Sequence, residues 1–167
     1  MKRGCGSILI VESDLNEQRL IKQAFEELRI KDSVYMVNDG EEALAFVKGR
    51  EPYADRREFK FPTFLITALN MPKINGFELL LQIKRSKLII IPIVVFAMSF
   101  SSDDVQKCYL FGANAFHSKP TRFKELLETL KRIYEYWAET EIPDLDEYGN
   151  LKQSTELAGQ KIRACFP

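Results

Sequence analysis

The sequence predicts an α/β fold in which helices cover both faces of a parallel β-sheet. Strand-like and helix-like segments alternate five times between residues 7 and 137, as repeated βα units require. The segments 7–11, 64–68 and 90–97 are apolar nearly throughout, which is typical of strands buried on both faces. Five such units joined by right-handed crossovers give a flavodoxin-like (βα)5 three-layer sandwich with strand order 2-1-3-4-5.

The first two strand–helix units contain clear helix-start signals. A run rich in β-branched residues from Ser7 to Val11 predicts the first strand. Asp14 is expected to cap the helix that follows, with Glu17 as its capping-box partner three residues later. Residues 33–37 predict the second strand. Apolar residues at helical spacing predict the two helices: Leu20, Ile21, Ala24, Phe25 and Leu28 in the first, and Ala43, Leu44, Phe46 and Val47 in the second.

The remaining three units follow a long polar loop from Gly49 to Pro62. Strands are predicted at residues 64–68, 90–97 and 115–117, and helices at residues 76–86, from Ser101 or Ser102 to Phe111, and from Thr121 to Trp137. Gly112 stands where helix C-termini favour glycine. The side chains expected to point inward are Phe77, Leu80, Leu81 and Ile83 in the third helix, and Leu126, Leu127, Leu130, Ile133, Tyr134 and Trp137 in the last.

The chain is predicted to contain one α/β domain over residues 1–137 and a C-terminal extension over residues 138–167. The extension does not continue the βα pattern, because Pro143 and Gly149 interrupt it. We expect it to be packed on the surface or partly mobile.

Charge, hydropathy and cysteine content exclude several classes of function. Lys+Arg and Asp+Glu both number 24, so no net field favours nucleic acid or a membrane surface. The longest apolar stretch, Leu88 to Met98, is too short to span a bilayer and contains Pro92. No apolar signal-peptide core follows the first residues. Cys5, Cys108 and Cys165 have no metal or dithiol spacing, so we expect free thiols in a reducing cytoplasm.

The third strand ends at an alanine, and this is the most informative position in the chain. The apolar run Phe64 to Ala68 leads directly into a turn that opens a helix. Parallel sheets of this order bind ligands at the carboxyl ends of strands one and three, where the direction of strand addition reverses. The expected crevice therefore lies beside Glu12, Ser13, Ala68 and Asn70.

Five short motifs, in this order on this topology, carry a resemblance to a known family. They are Ile8–Glu12, Asp39–Leu44, Asn70–Gly76, Gly112–Phe116 and Lys119-Pro120. Together they resemble the CheY-like receiver domains of response regulators in two-component (phosphorelay) signal transduction, over roughly residues 7–137. The long loop Gly49–Pro62 and the ending Tyr134–Trp137 are similar to the stand-alone receivers that partner phytochrome-type and other sensor kinases.

The resemblance implies a phosphorylation pocket, and in this chain that pocket is degenerate. The family uses two acids after strand one, an acceptor aspartate, a backbone carbonyl two residues later, a hydroxyl after strand four and a lysine after strand five. The corresponding residues here are Glu12, Ser13, Ala68, Asn70, Ala97 and Lys119. The second acid, the acceptor and the hydroxyl are therefore lost. Loss at three positions favours natural degeneration over one engineered substitution at residue 68.

Three expectations about this pocket follow. Mg²⁺ should bind weakly at best through the vestigial positions Glu12 and Asn70, and no other cofactor is expected. Lys119 is expected to pair with Glu12 rather than to hold a ligand. Phe116 matches the aromatic residue that the family moves during switching, but without a hydroxyl at Ala97 we interpret it as a packing residue. The family commonly has a cis peptide at Lys119–Pro120, and we predict one here.

The function that we predict is non-enzymatic. The chain is interpreted as a phosphorylation-independent pseudo-receiver that acts through contacts with a sensor histidine kinase, a downstream signalling protein or a second copy of itself. The expected contact face comprises residues 105–111, Phe116 and residues 123–137. On the last helix, Phe123, Tyr134, Tyr136 and Trp137 form a contact patch or pack under the extension, and the sequence leaves both readings open.

Two alternative functions remain open at this stage. One is a response regulator phosphorylated at a non-standard residue such as Ser13, Asp14 or His117. The other is a small-ligand-binding flavodoxin-like protein, although the chain contains neither a G-x-G-x-x-G motif nor a P-loop.

Overall fold

Five parallel strands and five helices make up the computed structural model, which describes residues 6–30, 32–86 and 90–151. The strands are β1 (Ser7–Val11), β2 (Ser33–Val37), β3 (Phe64–Thr67), β4 (Ile93–Ala97) and β5 (Ala115–Ser118). The helices are α1 (Leu15–Glu27), α2 (Gly40–Lys48), α3 (Gly76–Arg85), α4 (Ser102–Leu110) and α5 (Phe123–Glu139). The strand order β2-β1-β3-β4-β5 confirms the predicted flavodoxin-like sandwich.

The pleat of the strands divides the apolar core into two layers. In β1, Leu9 and Val11 face α2 and α3, whereas Ile8 and Ile10 face α1 and α5. Successive side chains of a strand point to opposite faces, so a strand between two helical layers needs apolar residues at every position. All five residues of β1 are accordingly buried.

Several element boundaries differ from the sequence prediction for local reasons. Strand β4 begins at Ile93 rather than residue 90, because Pro92 has no N–H to donate, although its carbonyl accepts the N–H of Leu65 at 2.9 Å. Residues 87–89 lie outside the described part. Of the two caps predicted for α4, the structure has Ser101, which forms a capping box with Asp104. Helix α5 begins at Phe123 rather than at Thr121.

The predicted cis peptide at Lys119–Pro120 is wrong: the cis bond among the described residues is Glu51–Pro52, and Lys119–Pro120 is trans. The N–H of Lys119 donates to the carbonyl of Ala97 at 2.8 Å, so Lys119 still belongs to the β4–β5 ladder. Its side chain reaches Glu12 with the Lys119–Pro120 bond trans.

The aromatic residues of α5 mostly pack inward. Trp137 is buried in the core, and Phe123 and Tyr134 are partly buried against the same residues. Of the four aromatic residues considered for the contact patch, Tyr136 is the one with a largely exposed side chain, at 64%. The idea that all four form a surface patch is therefore wrong.

The described part of the extension forms a small turn structure. Leu145 and Leu151 make an antiparallel bridge, and Gly149 lies against the ring of Phe61. Residues 152–167 are outside the described part, so the predicted division at residue 137 stays a prediction. No helix within the described ranges has the length and hydropathy to cross a membrane.

Candidate functional site

A cavity of about 280 Å³ opens at the carboxyl ends of β1, β3, β4 and β5. Its lining combines three acids and one lysine with small and apolar side chains. The residues are Glu12, Asp14, Glu17, Ala68, Leu69, Asn70, Phe96, Ala97, Met98, Ser99 and Lys119. The structure thus brings together Glu12, Ala68, Asn70, Ala97 and Lys119 from the sequence-predicted site.

Ala68 continues the sheet by one residue beyond β3. Its N–H donates to the carbonyl of Val11 at 3.0 Å, and its carbonyl accepts the hydroxyl of Thr67 at 2.9 Å. The residue is 9% exposed, and it lines the cavity. Position 68 therefore has the rigid backbone support that a reactive group would need, but its methyl group has no nucleophilic atom.

Ala97 occupies the matching position at the end of β4. It is buried at 5% exposure, and its carbonyl is held by the N–H of Lys119. The nearest hydroxyl on this loop that lines the cavity belongs to Ser99, which is exposed. Ala97 itself therefore contributes only a methyl group to the cavity lining.

Lys119 and Glu12 form a buried ion pair across the crevice. The Nζ atom lies 2.6 Å from Oε2 of Glu12, and the two side chains are 4% and 7% exposed. The second carboxylate oxygen of Glu12 accepts the N–H of Asp14 at 3.0 Å. Nζ also lies 5.6 Å from the centre of the Phe96 ring, within the range of a cation–π contact. The structure thus places Lys119 against Glu12, as the sequence predicts.

Glu17 is a site residue that sequence reasoning missed. Its Oε2 lies 3.4 Å from Nζ of Lys119. Asp14 caps α1 by accepting the N–H groups of Asn16 and Glu17, but the reciprocal bond from Glu17 is absent, because the Asp14 N–H donates to Glu12 instead. The predicted capping box is therefore only half formed.

A signal for Glu17 was present in the sequence. It lies four and seven residues before Ile21 and Ala24, which are both buried, so all three share one helix face. An acid on the inward face of a helix is unusual and needs a partner.

Ser13, Phe116 and His117 lie away from the lining of the cavity. Ser13 is half-buried. Phe116 packs edge-on against Phe100, with ring centres 4.7 Å apart. His117 is half-buried in β5, and burial followed by the charge of Arg132 lowers its pKa.

The loop that borders the crevice, residues 70–75, is attached to the turn before α2. The N–H of Gly40 donates to the carbonyl of Ile74 at 3.0 Å, and Lys73 Nζ lies 3.1 Å from Asp39 and 3.3 Å from Glu41. Burial alone would raise the pKa of Asp39, but the N–H of Glu42 and the ammonium of Lys73 lower it, and the net shift is downward.

The oxygen donors in the crevice do not fit a bound Mg²⁺ ion. Mg²⁺ requires an octahedral set of oxygen ligands with carboxylate charge, and Ala68 offers no side-chain oxygen. Lys119 already engages the oxygens of Glu12 and Glu17. Among the described residues, no group of three or more His, Cys, Asp or Glu side chains is arranged to hold a metal ion.

Comparison with known proteins agrees with this architecture. A family model described as the response regulator receiver domain matches residues 8–131. FilR2, a probable methanogenesis regulatory protein of Methanothrix harundinacea, is 36% identical over 131 residues, which are 78% of this chain and 82% of FilR2. The response regulator Rcp1 of Synechocystis is 31% identical over 134 residues, 80% of this chain and 89% of Rcp1.

A solved structure gives the same result. The phosphorylated cyanobacterial phytochrome response regulator RcpA matches with a TM-score of 0.73 at 29% identity, covering 83% of this chain and 98% of RcpA. The fold, the crevice and these matches together show that the chain belongs to the response regulator receiver family of two-component signal transduction.

Proposed function

We propose that this protein is a pseudo-receiver, which takes part in two-component signalling through protein contacts and without phosphorylation of an aspartate. The observation that carries the proposal is the alanine at the end of β3. Ala68 lines the crevice on a backbone fixed by two hydrogen bonds, where a phosphoryl acceptor would need a carboxylate.

The chemistry of phosphoryl transfer supports this reading. Covalent transfer to protein needs a nucleophile, and charge on the transferred group must be stabilised by a metal ion and by cations. The crevice offers a methyl group at Ala68 and another at Ala97. Its one lysine is engaged by Glu12 and Glu17. We therefore expect Mg²⁺ binding to be weak at most.

The contact face proposed for the partner lies on α4 and α5. Tyr109 and Leu110 of α4 are 51% and 69% exposed, and Tyr136 of α5 is 64% exposed. Val105, Gln106, Tyr109 and Leu110 line a shallow, mostly apolar depression. Exposed apolar groups that lie together, as Tyr109 and Leu110 do, are typical of binding surfaces. The partner is a sensor histidine kinase, a downstream signalling protein or a second copy of the chain.

Intact-mass measurement tests the absence of phosphorylation. The wild-type protein and Ala68→Asp are incubated with acetyl phosphate and Mg²⁺, and both are weighed without acid treatment. We expect no gain in the wild-type mass. The variant is the matched control, because it restores the nucleophile while leaving Ser13 and Ala97 unchanged.

Gain of one phosphoryl group by the wild-type protein would overturn the proposal. Peptide mapping would then decide between the alternative acceptors Ser13, Asp14 and His117. Calorimetric titration with millimolar Mg²⁺ tests the second point, since a saturable signal that disappears in Glu12→Gln would show a real metal site.

A further inference from the structure

The ammonium group of Lys119 is held between carboxylates that come from two different elements. Glu12 follows the last residue of β1, and Glu17 belongs to the first turn of α1. Their Oε2 atoms lie 2.6 Å and 3.4 Å from Nζ. Lys119 itself follows the last residue of β5. The three side chains therefore join β1, α1 and β5 at a single point.

The polar atoms around this point are satisfied within the protein. Glu12 Oε1 accepts the N–H of Asp14, and Glu12 Oε2 accepts from Lys119. The Glu17 side chain is 20% exposed, compared with 4% for Lys119. Glu17 is thus the most exposed of the three side chains, and it lies between the buried Lys119–Glu12 pair and solvent.

The charges explain why an ammonium ion and a divalent cation exclude each other here. Two carboxylates face the single ammonium group of Lys119, so the cluster of three side chains has a formal net charge of −1. A divalent cation binds through the same oxygens, and it would lie within a few ångströms of the lysine charge. Repulsion at that distance is strong in a partly buried site.

The following inference rests on the proposed function, in which the crevice holds no phosphoryl group. We infer that Lys119 supplies the positive charge that balances the carboxylates of Glu12 and Glu17 in this crevice. Glu17 is the positioning residue that, with Glu12, holds the ammonium where a divalent cation would otherwise be needed. The ion pairs of Lys119 with Glu12 and Glu17 therefore hold β1, α1 and β5 together at the crevice. Its structure does not depend on Mg²⁺.

The test is a gain of cation binding when the lysine charge is removed. The unfolding midpoint of the full-length protein is measured with MnCl₂ or MgCl₂, at constant ionic strength and without any phosphoryl donor. We expect no saturable shift for the wild type. For Lys119→Gln we expect a rise of roughly 3–6 °C when the cation is about ten times its Kd.

Two further variants assign the effect to these side chains. The double variant Lys119→Gln/Glu17→Gln should lose most of the gain, because Glu12 is then the one carboxylate left of the two that face position 119. Lys124→Gln, which removes an exposed lysine of α5, is the matched control and should behave as the wild type. A saturable shift in the wild type, or none in Lys119→Gln, overturns the inference.

If Lys119→Gln does not fold without a divalent cation, refolding still tests the inference. The variant is then refolded with and without Mn²⁺, and cation-dependent recovery of its circular dichroism supports the inference, whereas failure to recover contradicts it.

A separate measurement addresses the positioning role of Glu17 in the native protein. In ¹⁵N-labelled wild-type protein, the Lys119 ammonium should give a slowly exchanging NMR signal. Glu17→Gln should shift and broaden this signal, and Glu17→Asp should restore it in part. Glu26→Gln, an exposed acid on the same helix, should leave it unchanged. An ammonium signal that is insensitive to Glu17→Gln contradicts the role of Glu17.

These measurements contain no phosphoryl donor. Their failure is therefore distinct from failure of the proposed function, which would appear as a gain of mass from acetyl phosphate.

Discussion

The indole ring of Trp137 stacks on the ring of Phe64, with centres 6.3 Å apart and planes inclined by 27°. Trp137 belongs to the last turns of α5, and Phe64 is the first residue of β3. Because the two rings are 8% and 1% exposed, this contact fixes the end of the final helix to the centre of the sheet. The tryptophan is a core residue rather than part of a partner surface.

Removing the Trp137 side chain should therefore destabilise the fold. Trp137→Ala deletes a large buried ring and leaves a cavity against Phe64, so we expect the free energy of unfolding to fall by about 3–5 kcal/mol. Urea unfolding followed by circular dichroism measures the change. Tyr136→Ala, which truncates the exposed neighbour, should change the free energy by less than about 0.5 kcal/mol. Equal losses in the two variants would contradict the assignment of Trp137 to the core.

Asp39 should contribute to the acid sensitivity of the protein. Its pKa is lowered below the usual 3.8 in the folded state, so its stabilising effect is present above that value and is lost as the pH falls through the lowered pKa. Asp39→Asn should reduce stability at pH 7 by about 0.5–1 kcal/mol, because asparagine still caps α2. Urea unfolding between pH 7 and pH 3 should show the difference from wild type narrowing as pH falls. A difference between Asp39→Asn and wild type that stays constant from pH 7 to pH 3 would argue against this account.

Gly76 should be intolerant of a side chain, although alanine is the better helix former. A Cβ at residue 76 would overlap the carbonyl of Ala68 and lie 2.9 Å from Cα of Leu69. We expect Gly76→Ala to cost about 1–3 kcal/mol through displacement of the crevice loop. Gln82→Ala, at an exposed position of the same helix, is the matched control. Amide chemical shifts should move around residues 68–75 in the first variant, and a change confined to α3 would refute the explanation.

The sequence predicts the strand order and most of the crevice because both depend on local patterns. The five strand–helix units are visible as apolar runs, and the ends of β1, β3 and β5 bring Glu12, Ala68 and Lys119 together once the topology is known. The start of α4 agrees with the prediction, whereas α5 begins two residues after the predicted Thr121. At that position Arg122 precedes the helix and makes no side-chain cap hydrogen bond, so the sequence contains no cap signal for the observed start.

The errors occur where tertiary contacts decide between equivalent local choices. In α3 the run Leu79–Leu81 allows two helical faces, and Leu79 is buried instead of the predicted Leu81. The polar composition of the loop from Gly49 to Pro62 does not indicate that one of its charged residues, Arg56, is buried at 7% exposed. Its guanidinium donates to the carbonyls of Val47 and Phe59. Periodicity contains no information about such side-chain partners.

The proposed contact face on α4 leads to the last prediction. Tyr109 and Leu110 are exposed on α4, and they make little contribution to the core, so replacing them should affect binding but not folding. We expect Tyr109→Ser/Leu110→Ser to weaken association at least tenfold, which corresponds to about 1.4 kcal/mol. The free energy of unfolding should change by less than about 0.5 kcal/mol per site.

Self-association measured by light scattering, and binding to a cognate kinase domain, are the two readouts. Leu15→Ser, which removes a 63% exposed leucine at the start of α1, is the matched control and should retain both. The proposed face would be refuted if the wild-type protein is monomeric and the double variant still binds the kinase domain.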